Sequence, residues 1–366
     1  MTHSPRLRSR PLALAALVAV GATGLAACGS ASAEGGDGLQ VVVGAYPLQF
    51  VAERVGGDAV DVVNLTPPGA EPHDLELAPR DVGRVVDADL VLVVPGLQPA
   101  LDDAAAERDP AGVVDLTADV ALLAAGESED GEHAHEDGEH AHEDGEHAHE
   151  DGEHAHEEGE GAHEEGASEE GAHEEGASEE GASEEDHEGH DHGAEDPHFW
   201  LDPTRLADAA DSLAATLAER SPEQADGFTE RADALRADLE ELDGRFADGL
   251  AQCTSRELVT AHTAFAYLAD RYDLHQVGVT GISPEQEPTP GQLTSVTEFV
   301  REHGVTTIFT ETLVSPEVAE VVAAETGAGT AVLDPIEGLN DDSAGEDYLQ
   351  VMDANLESLR TGLGCT

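Results

Sequence analysis

Two populations of histidine occur in this chain of 366 residues. One is concentrated in EHAHEDGEHAHEDGEHAHEDGEHAHEEG, residues 132–159, where His-Ala-His units stand among glutamates and aspartates. The other is solitary. Outside the acidic block and the N-terminal leader the histidines are His73, His198, His262, His275 and His303. Neutral imidazole is the commonest metal ligand among side chains, and a carboxylate can complete a set of imidazoles. Both populations therefore have the chemistry to bind a cation. What separates them is whether the surrounding sequence can hold the donors still.

The repetitive block cannot. EHAHEDG recurs with period seven and GAHEEGASEE with period ten. A period of seven suggests a coiled coil, but the repeat has no apolar a and d residues. Glycine in every repeat opposes helix. High charge without large apolar side chains leaves nothing to offset the entropy of ordering. Residues 126–195 are therefore expected to be a disordered insertion. In extended chain a His-Ala-His unit turns both imidazoles to one side, so it can chelate a cation such as zinc, at an entropic cost each time. The expected role is capture or buffering near a preorganised site. Solvated filler is the alternative.

The solitary histidines lie in a different context. Val62-Val63-Asn64-Leu65 runs into a loop carrying Glu71-Pro72-His73-Asp74. Leu258-Val259-Thr260-Ala261 delivers His262, and Ala331-Val332-Leu333 delivers Asp334, with Glu337 close behind. Open α/β sheets bind ligands beyond the carboxyl ends of their strands. His198 lies in Asp196-Pro197-His198-Phe199-Trp200-Leu201-Asp202-Pro203, which the prolines stiffen. The candidate set is His73, His198, His262 and Asp334, with Glu337 as the alternative fourth member. Three imidazoles and one carboxylate suit closed, four-coordinate zinc, whereas manganese prefers more oxygen donors. His275, within a strand, and His303, at a helix end, read as structural.

The elements that must position these residues alternate. Strands are expected at 39–43, 60–65, 89–94 and 113–116, with helices near 47–55 and 79–86. Alternating strands and helices give parallel pairing, hence an α/β lobe. The same grammar returns with strands at 257–260, 274–277, 305–309 and 330–333 and helices near 264–271, 290–303, 316–325 and 342–359. After the insertion a helix follows Pro203 to about Arg220, closing the first lobe. Ser221-Pro222-Glu223-Gln224 then has the form of a capped helix start. Phe228, Ala232, Leu235, Leu239, Leu242, Phe246 and Leu250 step by three or four. That predicts one helix of about 30 residues, about 45 Å long, which could serve as a rigid strut. The expected organisation is an N-terminal lobe at 39–220 holding the insertion, a linking helix at 221–252 and a C-terminal lobe at 253–366.

The leader carries an address. Arg6, Arg8 and Arg10 precede an apolar stretch too short and glycine-interrupted for a good membrane span. Leu25-Ala26-Ala27-Cys28-Gly29 resembles a lipobox, which predicts cleavage after residue 27, acylation of Cys28 and a tether over 29–38. An ordinary secretory signal is the alternative. Either way the chain is exported, where the remaining pair, Cys253 and Cys365, reads as a disulfide. The formal net charge of −64 comes mostly from residues 127–196, and no basic face exists to meet nucleic acid. Soluble cations are the natural partners.

GAEPHDLELAPRDVGRVVDADLVLVV, DPHFWLDP, VTAHTAFAYLA, EPTPGQL and FTETLVSPEVAEVVAAETG…VLDP occur in this order. Together they resemble the cluster A, ZnuA/TroA-like substrate-binding proteins of metal ABC importers. The resemblance covers nearly all of 39–366 outside the insertion. It implies two α/β lobes joined by one long helix with the metal between them, and ligands at His73, His198 and His262. The fourth falls on Asp334 in most members; some zinc members use an acidic residue slightly later, here Glu337. Other zinc relatives carry a His-rich insertion at the same place. The implied function is capture of zinc, or alternatively manganese, outside the cytoplasmic membrane and delivery to an ABC permease and its ATPase. A surface metal buffer or adhesin without transport is one rival. A secreted zinc hydrolase with Glu71 or Glu311 as base is another, but neither an H-E-x-x-H helix nor a Gly-x-Ser-x-Gly elbow is present.

Overall fold

Among the described residues each apolar run expected as a strand becomes one, and within each sheet every strand runs parallel to its neighbours. The structure, a computed structural model, describes residues 38–125 and 195–366. The leader, Cys28, most of the tether and residues 126–194 of the insertion lie outside the described residues. The first sheet contains β1 (Leu39–Val43), β2 (Val60–Asn64), β3 (Leu90–Val93) and β4 (Val113–Asp115) in the order β2-β1-β3-β4. Helices α1 (Tyr46–Gly56), α2 (Pro79–Asp87) and α3 (Pro99–Ala106) form the crossovers. All four residues of β3 are buried, as expected of a parallel strand covered on both faces. α3 adds to the expected elements. Only Leu101 and Ala105 of PALDDAAA are buried, too few to write a helical period.

Two long helices follow. α4 (Pro203–Arg220) is capped by Asp202, whose carboxylate accepts from Thr204 N–H at 2.8 Å. α5 (Ala225–Leu250) has 26 residues and is about 39 Å long. It is shorter than expected because Pro222–Gln224 form a 3-10 turn. The capping box expected at Ser221 does not form; its hydroxyl donates to Glu223 at 3.0 Å instead.

The second sheet repeats the first: β5 (Glu257–Thr260), β6 (His275–Gly278), β7 (Thr307–Thr310) and β8 (Gly329–Val332), ordered β6-β5-β7-β8. Its helices are α6 (Ala266–Tyr272), α7 (Pro290–His303), α8 (Glu317–Thr326) and α9 (Tyr348–Gly362). α9 begins later than expected, where Asp347 caps Gln350 N–H.

α5 buries the seven residues that the periodicity selects, from Phe228 to Leu250. Its polar face is tied to both lobes. Arg231 donates to the carbonyls of Val55 and Gly56 at the end of α1, and Asp238 pairs with Arg54. On the other side Arg245 pairs with Asp353 of α9, and Asp243 with Arg271 of α6. One apolar core runs from β1 and α1 through α4 and α5 to α6 and α9. The lobes therefore share packing and cannot separate without exposing it. A Cys253–Cys365 disulfide closes the C-terminus onto the residues after α5, beside a backbone bond from Thr366 N–H to the Gln252 carbonyl.

Candidate metal centre

All the solitary donors of interest leave the carboxyl ends of strands or the segment between them. His73 lies in a 3-10 turn (Pro72–Asp74) reached from β2, and the Glu71 carboxylate caps it by accepting from His73 N–H at 3.1 Å. Buried Gln98 holds this loop from below, donating to the carbonyls of Pro72 (3.1 Å) and Gly44 (2.8 Å). Only glycine fits at 44, because a Cβ there would fall 1.7 Å from the Gln98 amide oxygen. His198 is set by Asp196, whose Oδ1 accepts from His198 N–H at 2.9 Å and lies 2.7 Å from Nδ1. Behind it Trp200 donates to the Pro335 carbonyl, and Tyr348 donates to the Trp200 carbonyl.

His262 follows β5. Glu311, immediately after neighbouring β7, accepts from His262 N–H at 3.1 Å and lies within 2.7 Å of Nδ1 through both oxygens. With Nδ1 of His198 and His262 each against a carboxylate, Nε2 carries the free lone pair of the neutral ring.

The fourth member is Glu337, not Asp334. Asp334 is buried but used locally: Oδ1 accepts from Ile336 N–H at 2.8 Å and Oδ2 from the Thr312 hydroxyl at 3.1 Å. Its backbone is held in both directions by the Asn355 amide. The short side chain thus closes an Asx turn on its own loop. Ile336 then adopts a left-handed φ of 62°, and the longer Glu337 side chain reaches the histidines. The Glu337 carbonyl accepts from Tyr46 N–H of α1 at 2.9 Å, joining the lobes at this point.

One ligand atom from each of His73, His198, His262 and Glu337 lies within 4.8 Å of the others. His198 Nε2 is 3.1 Å and His262 Nε2 3.3 Å from Glu337 Oε1; His73 Nε2 is 3.7 Å from it and 3.2 Å from His198 Nε2. The last is a contact between two ring nitrogens. Buried His262 Nε2 and both Glu337 oxygens lack hydrogen-bond geometry despite their near neighbours. Buried acceptors left without partners in so tight a cluster are what a shared cation would satisfy. A tetrahedral zinc with bonds of about 2.0–2.1 Å spaces its donors about 3.3 Å apart. The donor set and its spacing fit that ion.

The electrostatics fit a cation too. Burial would lower the basicity of His198 and His262, but the carboxylates of Asp196, Glu311 and Glu337 outweigh it and raise both. Burial would raise Glu337, but the three imidazoles hold it well below the usual carboxylate range. Glu71 is pushed up to about 9, by burial first and then by Glu337. Glu337 also lines a cleft of about 520 Å³ with Tyr46, Gln49, Asn64 and Thr66.

His275 and His303 stand apart from the cluster. His275 is exposed on edge strand β6 beside Glu257, and His303 closes the last turn of α7 against the Phe299 carbonyl. Asp196, Glu311 as an orienting group, and Gln98 were absent from the sequence-based set. Asp196 had a signal, an acid two residues before a histidine and flanked by proline. Glu311 required knowing that β5 and β7 are neighbours.

Two parallel α/β lobes, a shared helical spine and a buried His3-carboxylate cluster between strand ends define a two-lobed, metal-type solute-binding protein. The family described as "Zinc-uptake complex component A periplasmic" matches residues 41–362, and the chain belongs to that family. It is 30% identical over 332 residues to the zinc-binding lipoprotein AdcA of Streptococcus pneumoniae (strain ATCC BAA-255 / R6), covering 88% of this chain. The chain spans about half the length of that relative, 55%. It is 29% identical over 354 residues to the high-affinity zinc uptake system protein ZnuA of Bacillus subtilis, with 93% of each chain covered. The laminin-binding protein Lmb of Streptococcus agalactiae, described as bifunctional with adhesin and metal-transporting activity, superposes with a TM-score of 0.66 at 28% identity, over 89% of this chain and all of that one.

Proposed function

We propose that this chain is the extracytoplasmic binding component of a zinc ABC importer. It holds one zinc ion with His73, His198, His262 and Glu337 and delivers it to a permease driven by an ATPase. The observation that carries the reading is the convergence of one donor atom from each of His73, His198, His262 and Glu337 within 4.8 Å of one another, with His262 Nε2 and both Glu337 oxygens buried and without a hydrogen-bond partner. No donor position is left for an activated water, and Glu311 is committed to His262, which argues against a hydrolase. The names of the Bacillus and pneumococcal relatives support zinc as the cargo. The pneumococcal one, a lipoprotein, supports a lipid anchor, for which the lipobox-like residues 25–29 offer Cys28, and the family's description as periplasmic supports a place outside the cytoplasm. The core shared through α5 favours release by rearrangement of the His73 and Glu337 loops over wide closure of the lobes.

Trp200 supplies the test, since its ring centroid lies 5.3 Å from that of His198. Metal-free full chain titrated with zinc should change its Trp fluorescence and saturate at one equivalent. Manganese should bind more weakly. Saturation without a fluorescence change, or tighter manganese binding, overturns the assignment. Transport is separated from surface buffering by growth on scarce zinc: a strain lacking the chain should grow poorly, and normal growth favours the buffer.

A further inference from the structure

We propose that the Tyr267 hydroxyl is a positioning group for the cation site, setting the spacing of His198 from His262 by tying together the segments that carry them. The inference rests on the site reading above. Tyr267 is fully buried near the start of α6, the helix that follows the loop of His262. Its hydroxyl accepts from Leu123 N–H at 3.0 Å and donates to the Asp196 carbonyl at 2.6 Å. Leu123 and Asp196 are themselves joined, Asp196 N–H donating to the Leu123 carbonyl at 2.9 Å, and Ala124 and Glu195 form an antiparallel bridge beside them. One C-terminal-lobe hydroxyl therefore clamps the two N-terminal-lobe segments that flank residues 126–194.

The clamp leads to the site through one residue. The Asp196 carbonyl is held by Tyr267, and the Asp196 carboxylate holds both the backbone N–H and Nδ1 of His198. A shift of Asp196 must turn the imidazole. At the other end Tyr267 shares its short segment with His262, whose ring lies 5.5 Å from that of His198 at 64°. The ring is oriented separately: the Arg205 guanidinium stacks 4.8 Å from its centroid and pairs with Asp202 and Asp270. Ring packing and hydroxyl function can thus be removed one at a time. Orienting partners of metal-bound histidines typically change affinity 10- to 100-fold when lost; a group acting one residue further out belongs at the lower end.

The test compares Tyr267→Phe, which deletes the hydroxyl alone, with Arg205→Met, which weakens the packing of the ring and leaves the hydroxyl. Each metal-free full chain is loaded with one equivalent of cobalt(II), and its visible d–d bands are recorded as a report on donor geometry. Zinc affinity is measured by competition with a chelator and thermal stability without metal. Tyr267→Phe should alter the cobalt spectrum and weaken zinc about tenfold. Arg205→Met should lower the melting temperature and keep the wild-type spectrum. A wild-type cobalt spectrum in Tyr267→Phe, whatever its affinity, overturns the inference, as does an equal spectral change in Arg205→Met. Failure of the wild-type chain to take up cobalt or zinc at one tight site is a separate outcome and sinks the site reading, with the inference on it.

Discussion

Glu311 meets His262 twice, at the backbone N–H and at Nδ1, and both its carboxylate oxygens lie within 2.7 Å of that ring nitrogen. Such a pair fixes the tautomer, the ring plane and the direction of Nε2 together. Glu311→Gln keeps the shape and one acceptor but removes the charge. Zinc affinity should fall about 10- to 100-fold, while the metal-free protein remains folded. Wild-type affinity in a chelator competition would show that the pairing does not orient the ring for metal.

Asp334 and Glu337 lie three residues apart but do different work. Glu337→Gln removes the anionic donor and should weaken zinc by several orders of magnitude, because three imidazoles then face the cation without a counter-charge. Asp334→Asn keeps an acceptor for Ile336 N–H and should change zinc affinity less than tenfold. Its cost should appear in stability, about 1–3 kcal/mol for disturbing a buried polar network. Urea unfolding and zinc competition on both variants separate the roles, and the reverse ranking in affinity would restore Asp334 as the donor.

The shifted histidines give a pH dependence with a definite sign. His198 and His262 are raised above the ordinary imidazole range in the metal-free protein. Zinc must displace those protons. Apparent affinity should therefore start to fall while the pH is still above 6.5 and steepen to about tenfold per pH unit for each displaced proton. In the metal-free protein, raised basicity stabilises the fold below the unfolded value and is lost as pH rises through the folded one. The metal-free melting temperature should thus drop from pH 6 to pH 8, while the zinc-loaded one rises as binding tightens. Parallel trends in the two forms would mean that the imidazoles are not the titrating groups.

The fold was legible where burial is two-sided. Parallel strands covered on both faces leave apolar runs, so β3 and the Val41-Val42-Val43 stretch of β1 stand out. α5 was legible because its buried stripe never breaks step. Three histidines were found because each follows a strand end or a proline-stiffened entry. Glu337 was not separable from Asp334, since the choice depends on an Asx turn and on a left-handed Ile336. Left-handed backbone at isoleucine has no sequence signal, because the residue disfavours it and tolerates it only when its surroundings impose it.

The bridge between Ala124 and Glu195 bears on the acidic repeats. Both sides of the insertion point are anchored by described residues: Leu123 N–H to Tyr267, and Asp196 N–H to Leu123. His198 is oriented by Asp196 inside that anchor. Replacing residues 127–194 with a short Gly-Ser linker should leave one tight site, with zinc affinity within about tenfold of wild type, because the folded donors are preorganised. The weaker sites beyond the first equivalent should disappear with the repeat histidines. Calorimetric titration of both chains in low phosphate reads the two classes directly. If the shortened chain lost its tight site, the donors would have to lie in the repeats, and the cluster of His73, His198, His262 and Glu337 would not be the primary site.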